Sequence, residues 1–224
     1  MNRQSLLGEH RELHGLYSIL VQGKKGYSRH PETQRWVGCE SGLARRHAVL
    51  VAEMGIRGYS HRSPIAETRC VIRWPEVFVT PPQLQYDLLK SKYQHRPPGR
   101  IPLAQNAQQL WAQHKYSVMA RDPATCRAIG RRVAQMRHCS DCSALAEDLT
   151  LILRETPKNG RLVNVLEHMW GHVSDEATDD DRKTAEISTA DLLCKTVELA
   201  ARLLEPYLMA STALSDLAVY IHAA

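Results

Sequence analysis

The 224-residue sequence predicts a mainly α protein built from two helical parts. Three observations carry that reading. Apolar residues recur at helical spacing through most of the chain, as in Leu6, Leu13, Leu16 and Leu20. Prolines and glycines fall between these runs rather than inside them. The segment His95-Arg96-Pro97-Pro98-Gly99-Arg100-Ile101-Pro102 is stiff and basic, and marks the best boundary between the parts.

The spacing predicts a first helix over 4–22. Gly23-Lys24-Lys25-Gly26-Tyr27-Ser28-Arg29-His30-Pro31 is then a loop of cations around one aromatic, a composition suited to phosphate contacts and base stacking, or to simple solvation. A second helix is expected over 32–54, with Arg35 and Arg46 available to line a groove. A second basic, aromatic loop follows over 55–64, with Arg57, Tyr59, His61 and Arg62. Cys70–Trp74 has strand-forming residues, but Pro75, Pro81 and Pro82 confine it, so 66–82 reads as irregular, anchored by Trp74 and Phe78. Pro82 suits the first turn of a helix reaching Tyr93.

Beyond the linker, helices are expected over 104–121, 123–137, 141–155 and from about Arg161 to His172. Asp122 and Pro123 have the cap and first-turn chemistry for the second of these. Asp179-Asp180-Asp181 reads as an exposed acidic connector. Helices over 183–209, ended or kinked by Pro206, and over 212–222 complete the chain.

Composition narrows the function. Residues 1–137 hold 22 Lys+Arg against 9 Asp+Glu, and residues 138–224 hold 7 against 15. That asymmetry points the first part at an anion, nucleic acid being the commonest. With one Phe, eight Tyr and four Trp, the core is aliphatic. No apolar run is long enough to span a membrane, and the first residues lack an apolar signal segment, so a cytoplasmic protein without a membrane partner is expected. The six cysteines are expected as reduced thiols.

Metal and cofactor motifs are sparse. His138-Cys139-Ser140-Asp141-Cys142 holds one Cys-x-x-Cys pair, whereas a structural zinc needs four ligands. His168 and His172 are four apart, but Glu167 stands before the first histidine instead of after it. No phosphate-binding glycine loop is present. Neither a metal nor a cofactor is expected. Arg161, Asn164 and His168 share one helical stripe, which with His114 and Lys115 makes either a second site or a polar bridge between helices.

Two stretches resemble known families. Leu6-Leu7-Gly8-Glu9-His10-Arg11-Glu12-Leu13, followed by Gly26-Tyr27-Ser28-Arg29-His30-Pro31 and Arg57-Gly58-Tyr59-Ser60-His61-Arg62-Ser63-Pro64, resembles the pyrimidine dimer DNA glycosylase family, well over 4–65 and more loosely to 120. The resemblance implies a helical DNA-glycosylase-like half over 1–100 that acts on damaged double-stranded DNA in base excision repair. It implies Glu12 as catalytic carboxylate and Arg11 as a DNA contact, with His14, Lys24, Lys25, Arg29, Arg46 and Arg62 holding the backbone. The implied chemistry is glycosylase and AP lyase, through an imine between an amine and the sugar. That family's amine lies farther ahead of its glutamate than the eleven residues preceding Glu12, so the expectation includes impaired chemistry.

The second stretch, His114-Lys115-Tyr116 with Met119-Ala120-Arg121 and Arg154 to Gly171, resembles an all-helical bacterial domain of unknown function. That domain is found beside photolyase and fused to thiouracil desulfurases. The resemblance spans about 106–222, implies a second helical bundle over 101–224, and suggests work near nucleic acid or modified bases. Three functions stay open at this point: a glycosylase, a damaged-DNA-binding module without chemistry, and a modified-base enzyme in the second half.

Overall fold

The computed structural model describes residues 1–66, 71–136 and 142–221, and it is mainly α, with no strand among them. The chain divides into two compact units, Met1–Gly99 and Arg100–Ala224.

In the first unit, α1 (Arg3–Gln22) starts at Asn2, whose side-chain oxygen accepts the Ser5 N–H at 3.0 Å. It ends at Gly23, where φ is 68°. The helix expected over 32–54 is in fact two, α2 (Pro31–Arg35) and α3 (Glu40–Ile56). Trp36 accounts for the break. It is 2% exposed within a core of Leu6, Leu13, Leu43, Leu50 and Met54. A turn through Gly38, at φ 77°, re-aims the chain so that both Trp36 and Leu43 reach that core. Burying a tryptophan outweighs the propensity of four residues to stay helical.

Val71–Thr80 is irregular, and Cys70 lies outside the described residues. This segment is held against α3: Ser41 Oγ donates to the Val71 carbonyl at 3.2 Å and accepts the Arg73 N–H at 2.9 Å. A Cβ at Gly42 would sit 2.3 Å from the Arg73 carbonyl oxygen, so only glycine permits that approach. Trp74 packs on the α1–α3 core. Helix α4 (Pro82–Tyr93) follows, with Pro82 in its first turn.

The second unit is organised around α5 (Ala107–Arg121), which packs against α6 (Pro123–Gln135), α7 (Ser143–Ile152) and α8 (Asn159–Trp170). Asp122 caps α6 as its sequence position suggests, accepting the Ala124 and Thr125 N–H groups. Leu110, Val118, Ile129, Val133, Leu145 and Leu149 form one core cluster. A short 3₁₀ turn, Ser174–Glu176, leads to α9 (Asp179–Ala185), α10 (Thr189–Leu203), α11 (Pro206–Met209), α12 (Ala213–Asp216) and α13 (Ala218–Ile221).

Beyond α8 the structure differs from expectation in three places, the helix expected over 212–222 being two, α12 and α13. The run Asp179-Asp180-Asp181 is the first turn of α9, where carboxylates suit the helix dipole. Thr178 and Asp181 close a capping box there, and the Thr178 hydroxyl holds the Asp181 carboxyl down at about 2. The helix expected over 183–209 is three, because Ser188 caps α10 and Leu204 ends it in the left-handed region at φ 52°.

Candidate functional site

α1 presents three faces. Leu6 and Leu13 go into the core, and His10 and His14, four residues apart, lie side by side against α3. Arg11 and Glu12 are exposed. At 100° per residue, Glu12 points roughly 160° away from His10. Glu9 is taken up by an ion pair with Arg46.

The cations read from the sequence separate into two sets. Lys24, Lys25, Arg29 and Arg62 are exposed, and Tyr27 between them is 77% exposed. The loop's backbone is ordered by the Ser28 hydroxyl, which donates to the Lys25 carbonyl at 2.9 Å. His30 caps α2, its Nδ1 accepting the Glu32 N–H at 3.2 Å. Arg35 belongs to the scaffold instead of a groove. It donates to Glu32 at 3.0 Å and to the Val77 carbonyl at 2.8 Å, and lies over the rings of Trp36 and Phe78.

His14 is engaged within the protein. Its Nε2 is 3.1 Å from His47 Nε2, which is also 3.2 Å from His10 Nε2. His61, on the loop after α3, completes a group of four whose nearest ring nitrogens all lie within 4.8 Å of one another. The Ser63 hydroxyl is 3.3 Å from both His14 Nε2 and His61 Nε2. Burial, then the neighbouring histidines, depress His47 to about 4; burial likewise lowers His10 and His14. Neutral imidazoles with bare lone pairs are what a transition metal takes up. The sequence reading weighs the Cys139–Cys142 pair and the His168 and His172 pair, and does not extend the same test to His10 and His14. The legible signal was the i, i+4 spacing of His10 and His14.

A cavity of about 680 Å³ lies at the other end of α1, lined by Asn2, Arg3, Gln4, Leu7, Arg96 and Pro97. Glu12 is not among its walls.

In the second unit, α8 buries Leu162, Val165, Leu166 and Met169, so Asn164 and His168 fall on its solvent side. Arg161 turns back to the α5–α6 junction, donating to the Arg121 carbonyl and pairing with Asp122. His114 instead bonds through Nδ1 with the Thr212 hydroxyl at 3.0 Å, and burial lowers it to about 4. Lys115 lies over the rings of Tyr116 and Tyr207 at 4.6 and 4.3 Å. Burial opposes its charge, but hydrogen bonds and charge interactions with those tyrosines raise its pKa overall. Tyr116 bonds to His172 Nε2 at 2.7 Å, and His172 stacks on Tyr207 at 5.3 Å. The polar cluster beside α5 is therefore Lys115 and Tyr116 with His172 and Tyr207, of which the sequence reading places only Lys115 in a candidate second site.

Comparison with known proteins bears on both units. Residues 1–67 match the family model described as pyrimidine dimer DNA glycosylase. This links the first unit to a DNA repair family, and Arg11, Glu12, the basic loop and all four clustered histidines fall inside the glycosylase match. Residues 115–211 match a family described as protein of unknown function (DUF1722), which takes in Lys115, Tyr116, His172 and Tyr207. No curated protein and no solved structure matches the chain. No described helix is long and apolar enough to cross a membrane.

Proposed function

We propose that the protein binds damaged duplex DNA through its first unit and acts on it as a pyrimidine dimer glycosylase and AP lyase. The observation that carries this reading is the match of residues 1–67 to that family, within which Glu12 stands exposed on α1. The exposed cations Arg11, Lys24, Lys25, Arg29 and Arg62 support it, because sequence-independent affinity for a duplex comes from phosphate neutralisation. The first 99 residues hold 15 Lys+Arg against 8 Asp+Glu.

An amine attacks C1′ of the damaged nucleotide, the bond from C1′ to the base breaks, and the base leaves the sugar with a proton. The C1′–O4′ bond then breaks, O4′ taking a proton, and the opened sugar is joined to the amine as an imine. The resulting imine acidifies C2′; loss of that proton expels the phosphate at C3′ and cuts the strand. Glu12 moves these protons and faces the developing cation, and Arg11 holds an adjacent phosphate. The nucleotide must leave the stack for an amine to reach C1′.

A second reading is recognition without scission. α1 runs unbroken from Arg3 through Glu12, so residues at its start lie about 13 Å along the axis from that carboxylate. The two readings part on duplex DNA carrying one pyrimidine dimer, which the parent cuts only on the catalytic reading, and Glu12→Gln then tests the carboxylate. The catalytic reading requires strand cutting to vanish while affinity stays within about twofold. Equal loss of both, or cutting that persists, removes Glu12 from the chemistry.

A further inference from the structure

Three of the four clustered histidines come from packed helices, which fixes where their ring nitrogens point. His10 and His14 are one turn apart on α1, and His47 faces them from α3. His61 reaches in from the following loop, its ring centroid 5.1 Å from that of His47 and 5.0 Å from that of His10.

We propose that His10, His14, His47 and His61 bind a divalent first-row transition metal of the zinc class through their ring nitrogens. Hydrogen bonding alone leaves the arrangement unexplained. A single Nε2 carries either one hydrogen or one lone pair, yet His47 Nε2 lies at bonding distance from two other ring nitrogens at once. A cation at the centre resolves this, because every lone pair then points at it.

The spacing fits such an ion. Zinc–nitrogen bonds of about 2.0–2.1 Å in a tetrahedron place the ligand atoms roughly 3.3–3.4 Å apart. Two of the separations are 3.1 and 3.2 Å, and none exceeds 4.8 Å, so the remainder close by rotation of the rings and of the His61 loop. The donor set also selects the ion: four imidazoles and no carboxylate suit zinc, copper, nickel or cobalt and exclude magnesium and calcium.

Four protein ligands fill a tetrahedral sphere, which makes the site structural instead of hydrolytic. Its mechanical effect is to fasten the loop over 57–66 to the α1–α3 pair. That loop carries Arg62, so on the reading of the first unit as a DNA-binding body the metal also holds one phosphate contact in place.

The test uses the full chain. Protein stripped with a chelator is titrated with Co(II), then with Zn(II), with metal content measured by elemental analysis. The expected result is one equivalent bound, with the visible absorption of tetrahedral nitrogen-ligated Co(II) that Zn(II) abolishes. His61→Ala, on the loop, should weaken binding by more than about tenfold, since loss of even an outer-sphere partner costs that much. His14→Ala serves as a second variant. Cys139→Ser should keep the full equivalent, which separates the site from the Cys139–Cys142 pair. Absence of tetrahedral Co(II) absorption in the parent overturns the proposal, as does binding undiminished in both histidine variants. Because the readout is metal binding, loss of DNA cutting without loss of metal counts against the glycosylase reading and not against the site.

Discussion

His10 and Glu12 stand two residues apart on α1 and serve opposite sides of it. His10 is turned against His47, while Glu12 is exposed. One helix thus carries a scaffold face and a solvent-exposed face, and the two can be changed independently.

Glu12→Gln should leave thermal stability unchanged to within about 0.5 kcal/mol, as for an exposed position without a partner in the packing. His10→Ala should lower it, since its ring sits in the cluster between α1 and α3. Thermal unfolding of both variants, beside a DNA-cutting assay, checks the separation. A Glu12→Gln protein that is markedly destabilised would place that side chain in the fold.

The basic loop carries a second prediction. Replacing Lys24 and Lys25 by Ala should reduce the salt dependence of duplex binding by about two charges, a change of roughly 1.8 in the slope of log affinity against log salt. Arg35→Ala should leave that slope alone and lower stability, because Arg35 is spent on Glu32, Val77, Trp36 and Phe78. Equilibrium binding at several salt concentrations decides it. An unchanged slope in the lysine variant would make the loop a solvated one.

How much of this was legible in sequence depends on the range of the forces involved. Asp122 as a cap and Pro82 in a first turn are local chemistry, and both stand as read. The breaks at Trp36–Cys39 and at Leu204 arise from what tertiary burial demands of Trp36 and from a left-handed cap that no glycine announced. Arg35 looked like a groove cation because exposure cannot be read from a charge. The histidine group joins positions up to 51 residues apart, from His10 to His61, and only its i, i+4 half is written locally. Asn164 and His168 do share a stripe, but the apolar stripe of Leu162, Val165, Leu166 and Met169 takes the inside of α8.

Arg121 carries the third prediction. It is buried, donates to both carboxylate oxygens of Asp216 at 2.8 and 3.0 Å, and also satisfies the carbonyls of Ser117, Leu153 and Glu155. The Asp216 carboxylate raises its pKa against the cost of burial. Arg121→Met leaves a partly buried carboxylate and three carbonyls without their donor, and should cost about 3–5 kcal/mol. Denaturant unfolding followed through Trp111 and Trp170 measures it. A loss below about 1 kcal/mol would mean that water replaces the guanidinium.

His114 gives the pH prediction. Its folded value of about 4 lies below the ordinary 6.5, through burial, with the Asp216 carboxylate opposing the shift and the Arg121 guanidinium adding to it. Above pH 6.5 both folded and unfolded states hold it neutral, so its stabilisation is complete there. As pH falls from 6.5 towards 4 the unfolded chain takes the proton first, and about 3 kcal/mol is lost across that window. His47 titrates over the same range, so the comparison is between parent and His114→Gln, which keeps a polar side chain beside Thr212. The variant should show a shallower loss between pH 7 and pH 4 in urea unfolding. Parallel curves would remove His114 from the acid response.

The most direct test of the glycosylase account is borohydride trapping of the full chain on duplex DNA carrying a pyrimidine dimer or an abasic site. The expected result is a covalent protein–DNA adduct that forms only on damaged duplex, is lost in Glu12→Gln, and maps by mass spectrometry to an amine of the first unit. No adduct, together with equal affinity for damaged and undamaged duplex, would contradict it.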